Sequence, residues 1–264
     1  MKTKSFLPVI SFYLLIYKVQ TKIIRLLYRL LNYIQIISEG FWLAVLSEKS
    51  IMAIDNHYYN SSKKYKNEDY NRSLLNEWEI DMVNRFFVKC KKLMVLAAGG
   101  GREVFALLKM NFEVDGFDCN NNLVKYAQNF IEKEGLSEQI ALLPANVLAP
   151  THSFPKGFDI IWMSQFLDCF SEEEIVSILS KAKEAMDEQT KLCIMEPFWD
   201  RQRFETSAFC IINTSPYFTA MANGCSKMYH SKDFIKLIEM AGLKVEAIID
   251  HLGVCQSIIK IKKA

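Results

Sequence analysis

Apolar and polar positions change their pattern near residue 85, which divides the chain into two parts. After Lys91, short apolar runs that predict strands alternate with longer amphipathic stretches that predict helices. This alternation is typical of a parallel sheet that is covered by helices on both faces. The predicted strands are 93–97, 114–118, 140–144, 158–164 and 191–196, and the predicted helices between them are about 102–111, 121–134 and 172–187.

The end of the chain predicts a helix followed by a strand pair. The helix is expected to begin after Ser231, which can cap it, and to end near Gly242. Residues 244–249 and 255–261 then alternate between apolar and polar positions like two paired strands. These two segments would bring the sheet to seven strands, with an antiparallel hairpin at its end.

The first part of the chain, residues 1–84, is predicted to be a helical segment and a connector, ahead of a main domain at 85–264. Within residues 18–37, apolar side chains recur at helical spacing, and all six charges before Glu39 are positive. Such a basic amphipathic helix permits peripheral contact with an anionic membrane surface. The alternative is a helix packed on the main domain or on a twin subunit, as in a homodimer. Residues 55–79 are polar and tyrosine-rich, which predicts a loop or short-helix connector that could form a lid.

Composition and charge argue against several classes of protein. Residues 5–17 resemble the start of a signal peptide, but no cleavage pattern follows, and the apolar run is shorter than the ~20 residues of a membrane span. The seven cysteines are scattered without a CxxC pair, so no metal site is predicted and a reduced, cytoplasmic location fits best. A net charge of +2 argues against a nucleic-acid partner, which needs clustered, uncompensated Lys and Arg.

A candidate nucleotide site follows the first predicted strand. That strand runs into Gly99, Gly100 and Gly101 and then into a helix, so backbone amides and the positive helix end can face an anionic group. Asp118 closes the next strand, nineteen residues after Gly99, where an acid can accept both hydroxyls of an adenosine ribose. The alternatives are a tight turn at the glycines and a helix N-cap at Asp118. Asn146, after the third strand, could contact adenine or simply shape a turn.

The segment after the fourth predicted strand carries a family resemblance. Residues 158–174 read FDIIWMSQFLDCFSEEE, and KAKEAM and LCIME follow at 181–186 and 192–196. Together with the glycines and Asp118, this pattern resembles the class I methyltransferases that depend on S-adenosyl-L-methionine (SAM), particularly their small-molecule O-methyltransferase branch, over about residues 91–261. The resemblance implies an α/β fold with a Rossmann-like seven-stranded sheet, a C-terminal antiparallel hairpin, and SAM as the cofactor. It implies cofactor contacts from Ala97, Gly99, Gly100, Gly101, Glu103, Asp118, Asn146 and Gln165.

The sequence departs from the family pattern at two cofactor positions and at the catalytic base. Ala97 stands where the family usually has an acid and Glu103 where it has a third glycine, so we expect Glu103 to contact the SAM ammonium instead. Plant-type O-methyltransferases have a His-Asp-Trp motif after the fourth strand, and Asp168 takes the place of its histidine. Asp168 could be the general base, or it could cap the helix that begins near Ser171. His230 and His251 are the other candidate bases, and each could instead be structural.

The expected activity is methyl transfer to a hydroxyl, or to an activated ring carbon, of a small apolar molecule. Aromatic residues are dense after Trp162, which suits an aromatic or polyene acceptor that is free or carrier-bound. A catalytically silent methyltransferase-like binding or scaffold subunit would account for the altered glycine loop and the missing histidine. An NAD(P)-dependent oxidoreductase is disfavoured, because Val104 stands where the nicotinamide fingerprint needs a small residue.

Overall fold

The computed structural model describes residues 7–221 and 225–264, so the signal-peptide-like start at residues 5 and 6 lies outside the described residues. The chain divides into two units, one ending at Glu48 and one running from Lys49 to Ala264. The first unit is essentially α1, Leu7–Val45. In the described part of the chain, no helix combines the length and the apolar character that crossing a bilayer requires.

A seven-stranded sheet organises the second unit, in the order β3-β2-β1-β4-β5-β7-β6. The first five strands are parallel to one another, and β7 pairs antiparallel with both β5 and β6. The strands are β1 Lys92–Leu96, β2 Glu113–Asp118, β3 Ile140–Pro144, β4 Ile160–Ser164, β5 Lys191–Glu196, β6 Leu243–Leu252 and β7 Gln256–Lys263. The Rossmann-like sheet with a C-terminal antiparallel hairpin, as expected from the sequence, is confirmed.

Helices cover both faces of this sheet. After α1, the described helices are α2 Glu48–Ser61, α3 Glu68–Arg72, α4 Glu77–Phe86, α5 Arg102–Lys109, α6 Asn121–Lys133, α7 Glu172–Ala185, α8 Glu205–Met221 and α9 Ser231–Met240. Those whose side chains join the two cores are α4, α5, α6, α7 and α9. Successive side chains of a strand point to opposite faces, and β1 shows the result. Leu93 and Val95 join the core under α4, α5 and α6, whereas Met94 and Leu96 join the core under α7 and α9. Burial of β1 on both faces explains why its sequence is continuously apolar.

Several boundaries differ from the sequence-based prediction. Strand β1 stops before Ala97, because that residue adopts a left-handed conformation with φ of 57°. The connector is more helical than expected, since α2 reaches Ser61 and α3 and α4 follow. Helix α8 was not predicted at all. Its sequence contains Pro216 and lacks the one-sided apolar stripe by which amphipathic helices are recognised.

Side-chain caps fix the starts of the helices that flank the candidate site. His230, rather than Ser231, is the N-cap of α9, and its ring nitrogen accepts a hydrogen bond from the Lys232 amide. Asn120 is the N-cap of α6, and Ser171 is the N-cap of α7. The capping alternatives that the sequence left open for Asp118 and Asp168 are therefore wrong.

Candidate active site

The carboxyl ends of the parallel strands meet at one edge of the sheet, where α/β proteins of this kind bind ligands. At this edge β1 and β2 lie side by side, with Leu96 in register with Phe117. The chain leaves β1 through a turn in which the Gly101 amide donates to the carbonyl of Ala98 at 2.9 Å. The loop of residues 97–101, which we call the glycine loop, thus lies directly beside the end of β2.

Asp118 is bonded to the glycine loop. Its Oδ2 accepts a hydrogen bond from the Gly99 amide at 2.8 Å, and its Oδ1 accepts one from the Asn120 amide at 2.8 Å. Burial raises the pKa of the Asp118 carboxyl, and these two amides oppose that rise. Because each carboxylate oxygen can accept more than one hydrogen bond, Asp118 retains acceptor capacity for a diol. The structure therefore brings together the two parts of the predicted nucleotide site.

Gly101 allows close packing behind the loop. Its φ is 96°, a left-handed value that favours glycine, and a Cβ there would lie 3.1 Å from the Cβ of Ala127 on α6. The first turn of α5 is held against α6 in this way. A helix start in this position suits an anionic or polar ligand group.

Glu103 lies in the first turn of α5, but protein groups surround it. Its Oε2 accepts a hydrogen bond from Trp162 Nε1 at 3.2 Å, and its Oε1 lies 3.3 Å from Arg102 Nη2. Arg102 also pairs with Glu79 of α4 at 3.4 Å. Burial raises the pKa of Glu103, and Arg102 counteracts part of that rise. Contact of Glu103 with an ammonium group stays a prediction.

Three more predicted cofactor residues stand at the same edge. Ala97 is exposed at the end of β1. Asn146 is exposed after β3, and its Oδ1 accepts from the Leu148 amide at 3.0 Å, which makes it a turn residue whatever else it contacts. Gln165 follows β4 with φ of 46°, and its amide donates to the Met195 carbonyl at 2.8 Å. The exposed Gln165 side chain is thus attached to a fixed backbone position.

Asp168 lies in the loop after β4, in a short 3-10 turn, and burial raises the pKa of its carboxyl. The loop is fixed by Glu196, the last residue of β5, which is 2 % exposed. Glu196 Oε1 accepts hydrogen bonds from the amides of Phe166 and Leu167, both at 2.9 Å. Its Oε2 is buried without a hydrogen-bond partner among the described residues. Burial, and then the charge of Asp168, raise the pKa of Glu196 well above its usual range.

Sequence reasoning missed Glu196. The available signal was an acid that ends the apolar run LCIME, because a buried carboxylate at the carboxyl end of a parallel strand needs a specific partner. The structure supplies that partner as the loop of Asp168. Glu196 therefore acts on the candidate base through the backbone that carries it.

The two histidines occupy separate places. His230 caps α9, and its ring packs edge-on to Trp199 with the centroids 4.7 Å apart. His251 has φ of 61° near the end of β6, where it lines a cavity of about 250 Å³ with Arg201 and Arg203. Among the described residues, no hydrogen bond links either histidine to Asp168. The three candidate bases are therefore not joined by hydrogen bonds in the part of the chain that the structure describes.

Comparison with known proteins gives the same assignment of the fold. Residues 94–189 match the family model described as a methyltransferase domain. No curated protein matches the chain. The class I methyltransferase fold expected from the sequence is confirmed, and residues 94–189 are similar to a methyltransferase domain.

Three solved structures show how far the similarity extends. The mitomycin 7-O-methyltransferase MmcR is 18% identical with a TM-score of 0.57, over 67% of this chain and 50% of its own. An O-methyltransferase family 2 protein from Planctomyces limnophilus, in complex with apigenin, is 19% identical with a TM-score of 0.55, over 67% and 52%. NcsB1, an O-methyltransferase from neocarzinostatin biosynthesis in complex with S-adenosyl-L-homocysteine (SAH) and 1,4-dihydroxy-2-naphthoic acid, is 17% identical with a TM-score of 0.55, over 66% and 49%. The chain spans about half the length of these proteins.

Proposed function

We propose that this protein transfers the methyl group of SAM to a hydroxyl, or to an activated ring carbon, of a small apolar acceptor. The observation that carries the proposal is the bond between Asp118 and the Gly99 amide at the carboxyl edge of a methyltransferase fold. An acid in this position can accept the ribose hydroxyls while the glycine loop, which lacks side chains at three positions, lets the rest of the ligand approach the backbone closely. SAM, when bound, supplies a methyl group on a sulfonium that is already reactive.

The residues at the sheet edge fit this cofactor. Asp118 would hold the ribose, and the backbone of Gly99, Gly100 and Gly101 would lie against the adenosyl and methionine parts. The Gly99 and Gly101 amides already donate to Asp118 and to the Ala98 carbonyl, which leaves the Gly100 amide to face the ligand. Ala97, Asn146 and Gln165 follow the ends of β1, β3 and β4 at the same edge of the sheet, where they would contact the cofactor. Glu103 would compensate electrostatically for the acid that the family has at the position of Ala97, directly or through water.

Asp168 is the residue that would remove the proton from the acceptor hydroxyl. Methyl transfer is an in-line displacement, so the chain mainly has to align the partners and exclude water, and a base is needed only when the acceptor carries a proton. Asp168 is buried enough for the pKa of its carboxyl to be raised, which brings it closer to the value that a base needs near neutral pH. Glu196 positions the Asp168 loop through the Phe166 and Leu167 amides. His230 and His251 are alternative bases for acceptors bound nearer to α9 or to the β6–β7 turn.

Aromatic side chains near the Asp168 loop support an aromatic or polyene acceptor, free or carrier-bound. Phe166 and Phe170 lie in the same loop with ring centroids 4.9 Å apart, and both are partly exposed. Pockets for flat molecules use such apolar walls with few polar groups. The apigenin and dihydroxynaphthoic acid complexes of the similar O-methyltransferases point to the same class of acceptor.

Calorimetry with SAM, SAH and NAD tests the cofactor. We expect SAM and SAH to bind and NAD to give no heat; the reverse result would identify an oxidoreductase instead. Transfer of labelled methyl from SAM into an extract of the source cells, followed by identification of the product, then tests catalysis. Binding of SAM without transfer to any aromatic or lipid extract would identify the silent binding subunit, which the Ala97 and Asp168 departures favour.

We propose that α1 attaches the protein peripherally to an anionic membrane surface. Lys18, Lys22, Arg25 and Arg29 are spaced four, three and four residues apart, so they share one face of this helix. The opposite face presents exposed apolar side chains, among them Phe12, Ile16, Ile23, Leu27, Leu30 and Ile34. A long apolar face opposite a basic stripe suits the headgroup region of anionic lipids.

Vesicle sedimentation distinguishes membrane attachment from a homodimer. The protein is expected to sediment with vesicles that contain phosphatidylserine and not with phosphatidylcholine vesicles alone, and the charge reversals Lys22→Glu and Arg25→Glu should abolish sedimentation. A dimer by light scattering, with no sedimentation on either vesicle, would assign α1 to packing on a twin subunit.

A further inference from the structure

A tyrosine-rich segment lies directly on the glycine loop. Residues 60–72, which we call the strap, run from the end of α2 through α3. A Cβ at Gly100 would lie 1.8 Å from the carbonyl oxygen of Tyr65 and 2.9 Å from its carbonyl carbon. Gly100 is therefore the point at which the strap backbone touches the loop, and any side chain there would displace the strap.

The strap is attached to both ends of α6, the helix that follows the ribose acid. Near its start, Asn60 Oδ1 accepts a hydrogen bond from Asn122 Nδ2 at 2.8 Å. At its end, the Arg72 guanidinium pairs with Glu134 at 2.6 Å. Between them, Asn71 is fully buried and its amide lies 3.4 Å from the Tyr65 carbonyl oxygen. Glu68 also pairs with Lys133 of α6 at 2.7 Å. These three outer attachments are exposed, and such contacts contribute little to stability, so the strap can open without unfolding the core.

The side chain of Tyr65 lies among the tyrosines near the start of the strap. Tyr65 is partly buried, and its ring lies 5.7 Å from that of Tyr59. Burial raises the pKa of its phenol, and the charges of neighbouring tyrosines and of Asp118 add to the rise. Gly100, which the Tyr65 carbonyl contacts, is next to Gly99, which donates to Asp118. The backbone of Tyr65 is thus in contact with the loop that bonds to Asp118.

We propose that Tyr65 is a further binding residue of the nucleotide site, and that the adenosyl ligand exchanges only when the strap leaves Gly100. This inference rests on the proposed function. A tyrosine combines an apolar ring with a hydroxyl that can donate or accept, which suits a ligand with an adenine ring and a ribose. The strap then forms one wall of the site, closed by the contact between Tyr65 and Gly100.

The dissociation rate of SAH, measured by stopped flow, tests whether the strap closes the site. Gly100 does not have a positive φ, so the backbone accepts alanine there and the only obstacle is the strap. Gly100→Ala and Tyr65→Ala should each raise the SAH dissociation rate at least about tenfold, because affinity changes of this kind lie mostly in the off-rate. Tyr65→Phe separates the ring from the hydroxyl. Tyr58→Ala is the matched control, since Tyr58 is 62% exposed on α2 and should leave the rate unchanged.

A second variant acts without touching the site. Arg72→Ala removes the attachment to Glu134 and should raise the SAH dissociation rate several-fold, roughly in line with the loss of a restraining contact. This variant keeps the inference testable if Gly100→Ala fails to fold. Hydrogen exchange should show that SAH protects the amides of residues 60–72 in the full chain. If Tyr65→Ala and Arg72→Ala release SAH at the wild-type rate, or if SAH does not protect the strap, the inference is overturned. The proposed function is unaffected by that result as long as the wild-type chain binds SAH. No SAH binding by the wild-type chain overturns both.

Discussion

Replacement of Asp118 by asparagine is the most direct measure of the nucleotide site. Asparagine has almost the same shape, but it replaces one carboxylate oxygen by an NH₂ group and removes the charge. A hydrogen bond to a charged acceptor is worth about 1 kcal/mol more than one to a neutral acceptor. For two ribose hydroxyls the loss is about 2 kcal/mol, which weakens SAH binding roughly 30-fold.

The same substitution also acts on the protein itself. In the native chain the Gly99 and Asn120 amides each donate to one Asp118 oxygen at 2.8 Å. In the asparagine variant one of these donors faces another donor, which should lower the free energy of unfolding by about 1–3 kcal/mol. Thermal unfolding measures this cost separately from binding. Asp115→Asn is the matched control, because Asp115 lies on the same strand and pairs with Lys92 at 3.4 Å.

Calorimetry with SAH and with its 2′-deoxy analogue locates the lost contact. The penalty for Asp118→Asn should shrink for the deoxy analogue, since one of the two ribose bonds is already absent there. A folded Asp118→Asn protein that binds SAH with wild-type affinity would falsify the ribose assignment. Equal penalties for both ligands would place the effect in the glycine loop rather than in a contact with the 2′-hydroxyl.

Three further substitutions test the other roles. Asp168→Asn should lower kcat/KM by about 100-fold with SAH affinity unchanged. Because burial raises the pKa of Asp168, wild-type turnover should decline on acidification at a pH above the usual Asp range. A wild-type pH profile without this decline would argue against Asp168 as the base. Glu196→Ala leaves the amides of Phe166 and Leu167 without their acceptor and should lower the free energy of unfolding by about 2–5 kcal/mol. In chemical denaturation, Glu196→Gln should recover most of that loss. Glu103→Gln keeps an acceptor for Trp162 but removes the charge, so SAM affinity should decrease about tenfold if Glu103 faces the ammonium; unchanged affinity in calorimetry would contradict that role.

Short apolar runs with clear ends made the sheet predictable. The predicted strands 140–144 and 191–196 match β3 and β5 residue for residue, because each is a short apolar run between clear breaks. Where the prediction extended β1 to Ala97, apolar character was an unreliable guide, since a left-handed backbone ends a strand whatever the side chain is. Helix α8 was missed because its sequence lacks a one-sided apolar stripe and contains Pro216, which argues against a helix interior.

The contact between the glycine loop and Asp118 was predictable because both come from one local pattern, a strand that ends in glycines and a second strand that ends in an acid. The remaining contacts depend on tertiary structure. The Glu196 carboxylate reaches a loop thirty residues earlier in the chain, and the Tyr65 carbonyl meets Gly100 through a segment whose composition indicated only a connector. Neither pairing has a sequence period, so only the fold shows it.

Strand β6 has a consequence for how copies of this protein can meet. It is the outermost strand of the sheet, ten residues long, and its outer backbone could template the addition of a foreign strand. Register shifts interrupt it between Val245 and Ala247 and again between Ile249 and Leu252. Lys244, Glu246 and Asp250 place charges along the same stretch. Such interruptions and charges protect a rim against edge-to-edge aggregation, so strand addition is disfavoured along β6 and the sheet is expected to end there.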